Sequence, residues 1–283
     1  MKRFGLLCNP TAGNIGDDIQ NLATRQFLPS LDAYVPRESL HDVREDLHMI
    51  LNGWFCHFPE RWPPSPRVTP LLVSMHISPL PSAPTRTITA DQVFTQPPVA
   101  DYLRQHGPVG ARDQETEALL KGAGIESYFS GCMTLTIPRP PVPRADDLVV
   151  INEVPALALA RLRKTTGKRL FRTWHGNFAD RDPAERQVRA QELLDLYARA
   201  SCVVTSRLHC ALPCLAIGTP VLLVDVAPDQ GRFTGLRDFL HHRPWQAVAN
   251  GTAGYDIDNP PPNKELHLPY RAGLIEAARR FVA

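Results

Sequence analysis

The stretch 201–224, SCVVTSRLHCALPCLAIGTPVLLV, reads as strand, helix, strand. Cys202, Val203 and Val204 form one short apolar run and residues 221–224 another, each suited to a strand buried on both faces. Between them Leu208, Ala211, Leu212, Leu215 and Ala216 recur at helical spacing, and Thr205 or Ser206 is placed to cap that helix. Gly218 marks its stop, Pro220 forbids its return, and Pro213 inside it predicts a kink. Two parallel strands joined by a helix form a βαβ unit. Arg207 and His209 fall in the first turn of that helix, at the carboxyl end of a buried strand. Free backbone N–H groups, the positive end of the helix, a guanidinium and an imidazole converge there on an anion site. The plain alternatives are that Arg207 pairs with a neighbouring carboxylate and that His209 only packs.

The rest of the chain bounds the reading. Its 283 residues are enough for two domains, and 43% hydrophobic with 21% charged residues is ordinary globular composition. A formal net charge of +2 argues against nucleic acid as the partner. No apolar run reaches the roughly 18 residues of a membrane span, and the start MKRFGLLCNP reads as a first strand rather than a signal peptide. The six cysteines, Cys8, Cys56, Cys132, Cys202, Cys210 and Cys214, have no disulfide or zinc spacing, so reduced core thiols in a cytoplasmic protein are expected. Cys210, Cys214 and His209 are the one conceivable metal grouping. Prolines cluster over 59–98 and 138–143, marking irregular connections and a linker.

The alternation continues on both sides. A strand over 4–8, a turn with Gly13 and Gly16, and a helix from about 18 to 27 open the chain. Strands are read at 49–52, 71–76 and 128–130, an extended run at 92–94 and a helical turn at 101–105. Arg112 sits at another strand-to-helix turn, where Asp113 caps the following helix. Beyond the linker come a strand from 148, a helix over 156–166, a strand over 169–174 ending at His175, and a helix from Asp182 to about 199. A polar loop over 225–233 carrying Arg232, a helix over 236–240 and an amphipathic helix over 272–282 complete the chain. Strand and helix alternating in this way predict parallel sheets covered on both faces.

Three motifs in this order resemble the polysaccharide pyruvyl transferases: Asn14-Ile15-Gly16-Asp17, Val109-Gly110-Ala111-Arg112-Asp113, and Thr205-Ser206-Arg207-Leu208-His209 followed by Gly218-Thr219-Pro220. The last is the specific one. The resemblance implies an α/β fold of two Rossmann-like domains facing a cleft, as in GT-B glycosyltransferases. These would span residues 1–143 on the acceptor side and 144–283 on the donor side, with the last helix packing back on the first domain. It implies transfer of a pyruvyl group from phosphoenolpyruvate to a sugar, nucleotide-sugar or lipid-linked oligosaccharide acceptor, giving a pyruvate ketal in polysaccharide biosynthesis. Phosphoenolpyruvate is then a co-substrate; no cofactor and no metal are called for. Arg207 and His209 are the expected catalytic pair, and Arg112, Arg207, His209, Arg232 and His175 the donor contacts. Asn14, Gly16, Asp17 and Asn52 are the expected acceptor contacts. Where the family often carries a lysine after the Gly-x-Pro strand, residues 225–233 have none, and Arg232 is the nearest cation. A homo-oligomer and peripheral attachment to a membrane are compatible with this reading. Its competitors are a nucleotide-sugar glycosyltransferase of the same architecture and a non-catalytic sugar-binding protein.

Overall fold

The computed structural model describes every residue except Met1, Ser82, Pro84 and 228–230, so part of the expected polar loop over 225–233 lies outside the described residues. The first sheet uses β1 (Phe4–Cys8), β2 (Ala33–Pro36), β3 (Leu47–Phe55), β4 (Val68–Ile77), β5 (Val109–Ala111) and β6 (Ser127–Phe129). Its helices are α1 (Gly16–Arg25), α2 (Ala90–Phe94), α3 (Val99–His106) and α4 (Gln114–Gly122). The second sheet uses β7 (Ala145–Asn152), β8 (Arg169–Thr173), β9 (Ala200–Thr205), β10 (Val221–Asp225) and β11 (His241–Pro244). Around it lie α5 (Ala156–Thr165), α6 (Pro183–Arg199), α7 (Leu208–Ala216) and α8 (Trp245–Asn250), and α9 (Leu268–Val282) closes the chain.

Every strand pairing is parallel. The strand orders are β2-β1-β3-β4-β5-β6 and β11-β10-β9-β7-β8. In each sheet the chain first steps outward in one direction and then returns to the other side of its starting strand. The order therefore reverses between β1 and β3 in one sheet and between β7 and β9 in the other. Crevices at the carboxyl ends of such strands are where open α/β sheets take ligands. The molecule is thus a mixed α/β fold of two Rossmann-like parallel sheets.

β9 pairs with β7 through Cys202↔Val149 and Val203↔Val150, and with β10 through Val203↔Val221, which buries it on both faces as its apolar run predicts. One apolar core joins the two halves: Phe4, Ile19, Val203, Leu212 and Leu274 belong to the same buried cluster. The α9 helix reaches the first sheet, with Phe281 against His48 (6.0 Å between ring centroids) and Tyr270 against Phe129 (5.1 Å). The connection before β7 is latched to the second half: Arg139 donates to the carbonyls of Ile217 and Ala198, and Arg144 to that of Gly218.

Several local expectations are corrected. Residues 92–94 are not extended but helical, because Thr89 and Gln92 form a capping box that starts α2. The helix expected over 236–240 is a single 3₁₀ turn, Arg237–Phe239, that leads into β11. The strand expected to end at Asn52 runs on to Phe55 through a bulge at Leu51/Gly53, with Gly53 at φ +111. Neither Thr205 nor Ser206 is the N-cap of α7; Arg207 is, and the Thr205 hydroxyl accepts the Arg207 N–H at 2.9 Å. The six cysteines are free and buried.

Candidate active site

Both sheet reversals open into one cleft of about 440 Å³. The first sheet contributes Thr11, Ala12, Gly13, Asn14 and Asp17 after β1, Arg37 after β2, and Trp54 and His57 around the end of β3. Arg112, between β5 and α4, belongs to the same half. The second contributes His175 after β8, Arg207, Leu208 and His209 at the start of α7, and Arg232. Four guanidinium groups in one small concavity make it an anion receptor.

The four are held differently. Arg112 is only 2% exposed, its nearest carboxylate is Asp113 at 3.7 Å, and its Nε makes no hydrogen bond to the described residues. Asp113 is already occupied: it accepts the Thr116 N–H at 3.0 Å as the cap of α4, and faces His76 Nδ1 at 2.7 Å. That proton-sharing contact, together with Arg112, holds the Asp113 carboxyl below the usual carboxylate range against the opposing effect of its burial. Arg232 is pushed down to about 10, first by burial and then by the charges of Arg112 and Arg207. It reaches the cleft because the turn Gly231–Phe233 docks on the start of α4, where Thr234 accepts the N–H groups of Gln114 and Glu115. Arg37 pairs with Glu38 at 3.0 Å, lies 4.0 Å from Asp17 and sits 5.2 Å from the Trp54 ring.

Arg207 is not the unpaired clamp its position suggests. Its side chain is 45% exposed, and its Nε and Nη2 both contact Oε2 of Glu153, just beyond β7. The ordinary alternative, a carboxylate partner, is what the fold supplies, from a residue distant in sequence.

His209 is half-buried, its Nε2 has no hydrogen-bond partner among the described residues, and the ring packs beside Gly16. Burial, followed by the charges of Arg112, His175 and Arg232, depresses its pKa well below the ordinary histidine value, so the ring is neutral. His175 forms part of the floor rather than a projecting contact. It is 1% exposed, its Nε2 lies 2.8 Å from the Tyr197 hydroxyl, and burial pulls its pKa down to about 4.

Among the expected acceptor contacts, Asn14 and Asp17 line the cleft. Gly16 and Asn52 do not. A Cβ on Gly16 would meet His209 Cβ at 3.1 Å, so this glycine permits the close approach of α1 and α7. Asn52 lies buried in β3, accepting the Thr24 hydroxyl at 3.2 Å. The loop carrying Asn14 is gripped from the second half: Ile15 N–H donates to the His175 carbonyl at 2.8 Å and Phe178 N–H to that of Gly13 at 3.1 Å. Arg186 of α6 adds bonds to the carbonyls of Ala12 and Asn14 and a buried pair with Asp18 at 2.7 Å.

Arg37, Trp54, His57 and Glu153 have no part in the sequence motifs. Their only sequence signal is position, at or just after the end of a strand, and which strands flank a reversal is set by sheet order.

No helix among the described residues is long and apolar enough to cross a membrane. No curated protein matches the chain. Among solved structures it is similar to a functionally uncharacterised protein from Klebsiella pneumoniae subsp. pneumoniae NTUH-K2044, with 14% identity and a TM-score of 0.47 over 82% of this chain and 87% of that one. It is also similar to the wall teichoic acid polymerase TagF, with 10% identity and a TM-score of 0.41 over 98% of this chain and 83% of that one. Residues 93–228, which carry Arg112, His175, Arg207 and His209, match the family model described as polysaccharide pyruvyl transferase.

Proposed function

We propose that the cleft binds phosphoenolpyruvate and transfers its three-carbon skeleton to two hydroxyls of a sugar as a cyclic ketal. The observation that carries this reading is Arg112, a buried guanidinium whose Nε has no hydrogen-bond partner among the described residues, in the same cleft as the unpartnered Nε2 of His209. A buried cation whose one carboxylate neighbour is engaged elsewhere is stabilised when a ligand brings a further anion. Phosphoenolpyruvate brings two, a carboxylate and a phosphate. Arg112 and Arg232 take these groups, and the amide N–H groups at the start of α7 face the phosphate. A volume near 440 Å³ falls in the usual range for small-molecule sites, about 300–1,000 Å³.

His209, neutral before the donor arrives, gains a proton as the donor's negative charge raises its pKa, and passes that proton to the methylene carbon. One sugar hydroxyl adds at C2, the bond from C2 to the phosphate oxygen breaks with its electron pair leaving on phosphate, and a second hydroxyl closes the ketal. Of the two hydroxyl protons released, one replaces that given to the methyl group and the other leaves with phosphate. Asn14 and Asp17 are the acceptor contacts, with Trp54 adding aromatic surface to the same wall. The acceptor is a sugar, free or carried on a nucleotide or lipid.

The test is incubation of candidate acceptors with phosphoenolpyruvate, followed by mass spectrometry and a phosphate assay. The reading requires a mass gain of one pyruvate less one water with stoichiometric phosphate. It also requires phosphoenolpyruvate, and not nucleotide sugars, to raise the melting midpoint. Stabilisation by nucleotide sugars alone favours the glycosyltransferase reading instead.

A further inference from the structure

We propose that Glu153 sets the anion affinity of the donor site, an internal anion that competes with donor and product phosphate for Arg207. The inference rests on the reading of the cleft as an anion site but concerns a residue outside its motifs.

Three observations carry it. Glu153 follows β7, across the sheet reversal from Arg207, so the fold brings the two together at the place where a ligand enters. Its backbone is held at φ +49, a left-handed conformation uncommon for a residue with a Cβ, and its carbonyl accepts the Ser206 hydroxyl. Its carboxylate is divided between two tasks. Oε1 accepts the His175 N–H at 2.6 Å, while Oε2 takes both Nε and Nη2 of Arg207.

Guanidinium binds phosphate or carboxylate best through two parallel N–H groups. In Arg207 the Nε and Nη2 edge is already used, so an incoming anion either meets the remaining end of the group or displaces Glu153. Arg112 has no such competitor on its fork beyond Asp113, which stands at 3.7 Å and is engaged elsewhere. The two cations therefore have different duties. Arg112 supplies affinity, and Arg207 is released to the donor only as far as the donor outcompetes Glu153. The same competition weakens the grip on phosphate after transfer and favours its departure.

The experiment is calorimetric titration of the full chain with inorganic phosphate and with phosphoenolpyruvate, comparing wild type, Glu153→Gln, Arg207→Gln and the double variant. Glu153→Gln keeps the size and one oxygen for the His175 N–H but no charge for Arg207. The expected result is about tenfold tighter binding of both probes in Glu153→Gln, and less than a roughly twofold change when the same substitution is made beside Arg207→Gln. A carboxylate with a purely structural role would loosen binding on removal, whether or not Arg207 is present. Should Glu153→Gln not fold, Glu153→Gly removes the carboxylate at a position whose backbone suits glycine and is held to the same expectation. Unchanged or weaker binding in these variants, or an equal gain with and without Arg207, overturns the inference and leaves the anion site standing. Failure of wild type to bind either probe overturns both.

Discussion

Two turns of this molecule share one design and end in opposite states. In the first half β5 hands over to α4 through Ala111, Arg112 and Asp113; in the second β9 hands over to α7 through Ser206, Arg207 and Leu208. Each places an arginine at the carboxyl end of a parallel strand, and each is backed by a buried imidazole, His76 behind the first and His175 behind the second. Yet Arg112 is buried with its Nε unpartnered among the described residues, and Arg207 is half exposed and paired. The difference lies in the carboxylates. Asp113 spends itself on the α4 cap and His76, whereas Glu153 reaches Arg207 from a strand more than 50 residues away in sequence. Position at a strand-to-helix turn makes an arginine available to a ligand; the nearest uncommitted carboxylate decides whether it is.

The largest expected effect separates the two imidazoles. His76 has a carboxylate partner, whereas His175 has only the neutral Tyr197 hydroxyl on its ring. The His175 pKa falls from 6.5 in the open chain to about 4 in the folded protein, so between these values the unfolded chain binds a proton that the native state does not. Stability therefore falls as the pH is lowered from about 6.5 to about 4, by on the order of 3 kcal/mol from this residue. His209 and His76, also depressed chiefly by burial, add to the fall with the same sign, His76 against the opposing pull of Asp113. Urea titrations at several pH values are expected to show this loss in wild type and a much flatter limb in His175→Gln. Equal slopes would show that the two turns are alike in acid after all.

Next in size is the contrast between the arginines themselves. Arg112→Gln is expected to weaken phosphoenolpyruvate binding about 100-fold, the loss of roughly two charge-assisted hydrogen bonds. Arg207→Gln, which removes a cation already shared with Glu153, is expected to weaken it by less than about tenfold. Calorimetry on both variants gives the ratio directly, and a ratio reversed in favour of Arg207 would break the assignment of affinity to the first turn.

Asp113 sharpens the same contrast on the stability side. Asp113→Ala removes the α4 cap, worth about 1 kcal/mol, and leaves the buried His76 without its partner, worth about as much again. A loss near 2 kcal/mol in denaturant unfolding is expected, with Asp113→Asn retaining the capping share. The corresponding position in the second turn offers no such effect, since α7 has no side-chain cap.

The sequence makes the second turn easy to see and its state impossible to see. The β9–α7–β10 unit is a local pattern: apolar runs on both sides of a helix-period segment, stopped by Gly218, which adopts φ +73. The twice-buried strand follows from Cys202, Val203 and Val204 because a parallel sheet leaves no wet face. By contrast β2 is four residues ending in proline and β11 is four residues, His241–Pro244, without an apolar run; their strand state comes from pairing with β1 and β10. Arg112, Arg207, His209, Asn14 and Asp17 were legible as cleft residues because each lies at a strand-to-helix turn or the helix start that follows. Arg37 and Trp54 were not, since Arg37 joins the cleft because β2 lies beside β1, and Trp54 because β3 lies on the other side of β1 with a bulge after Leu51. The Glu153 pairing was hidden for the same reason, as strand order, not spacing, makes it the neighbour of Arg207.

The smallest expected effect concerns the point where the two halves touch. Gly16 was read as an acceptor contact, but the structure uses it to let α1 approach His209. A methyl there would stand 3.1 Å from His209 Cβ, 3.2 Å from its Nδ1 and 3.1 Å from Asn14 Oδ1. These contacts are tight by a few tenths of an ångström, so one neighbour must move, and the half-buried imidazole with an unpartnered Nε2 is the one free to do so. Against that crowding, alanine favours the first turn of α1 over glycine by up to about 1 kcal/mol, so the net stability change in Gly16→Ala is expected within about 0.5 kcal/mol of zero. On the proposed mechanism, the displacement of His209 by a fraction of an ångström is expected to lower turnover several-fold while phosphoenolpyruvate affinity, assigned there to Arg112, holds. A Gly16→Ala protein with normal turnover and weakened acceptor binding would return Gly16 to the acceptor wall and detach His209 from the chemistry.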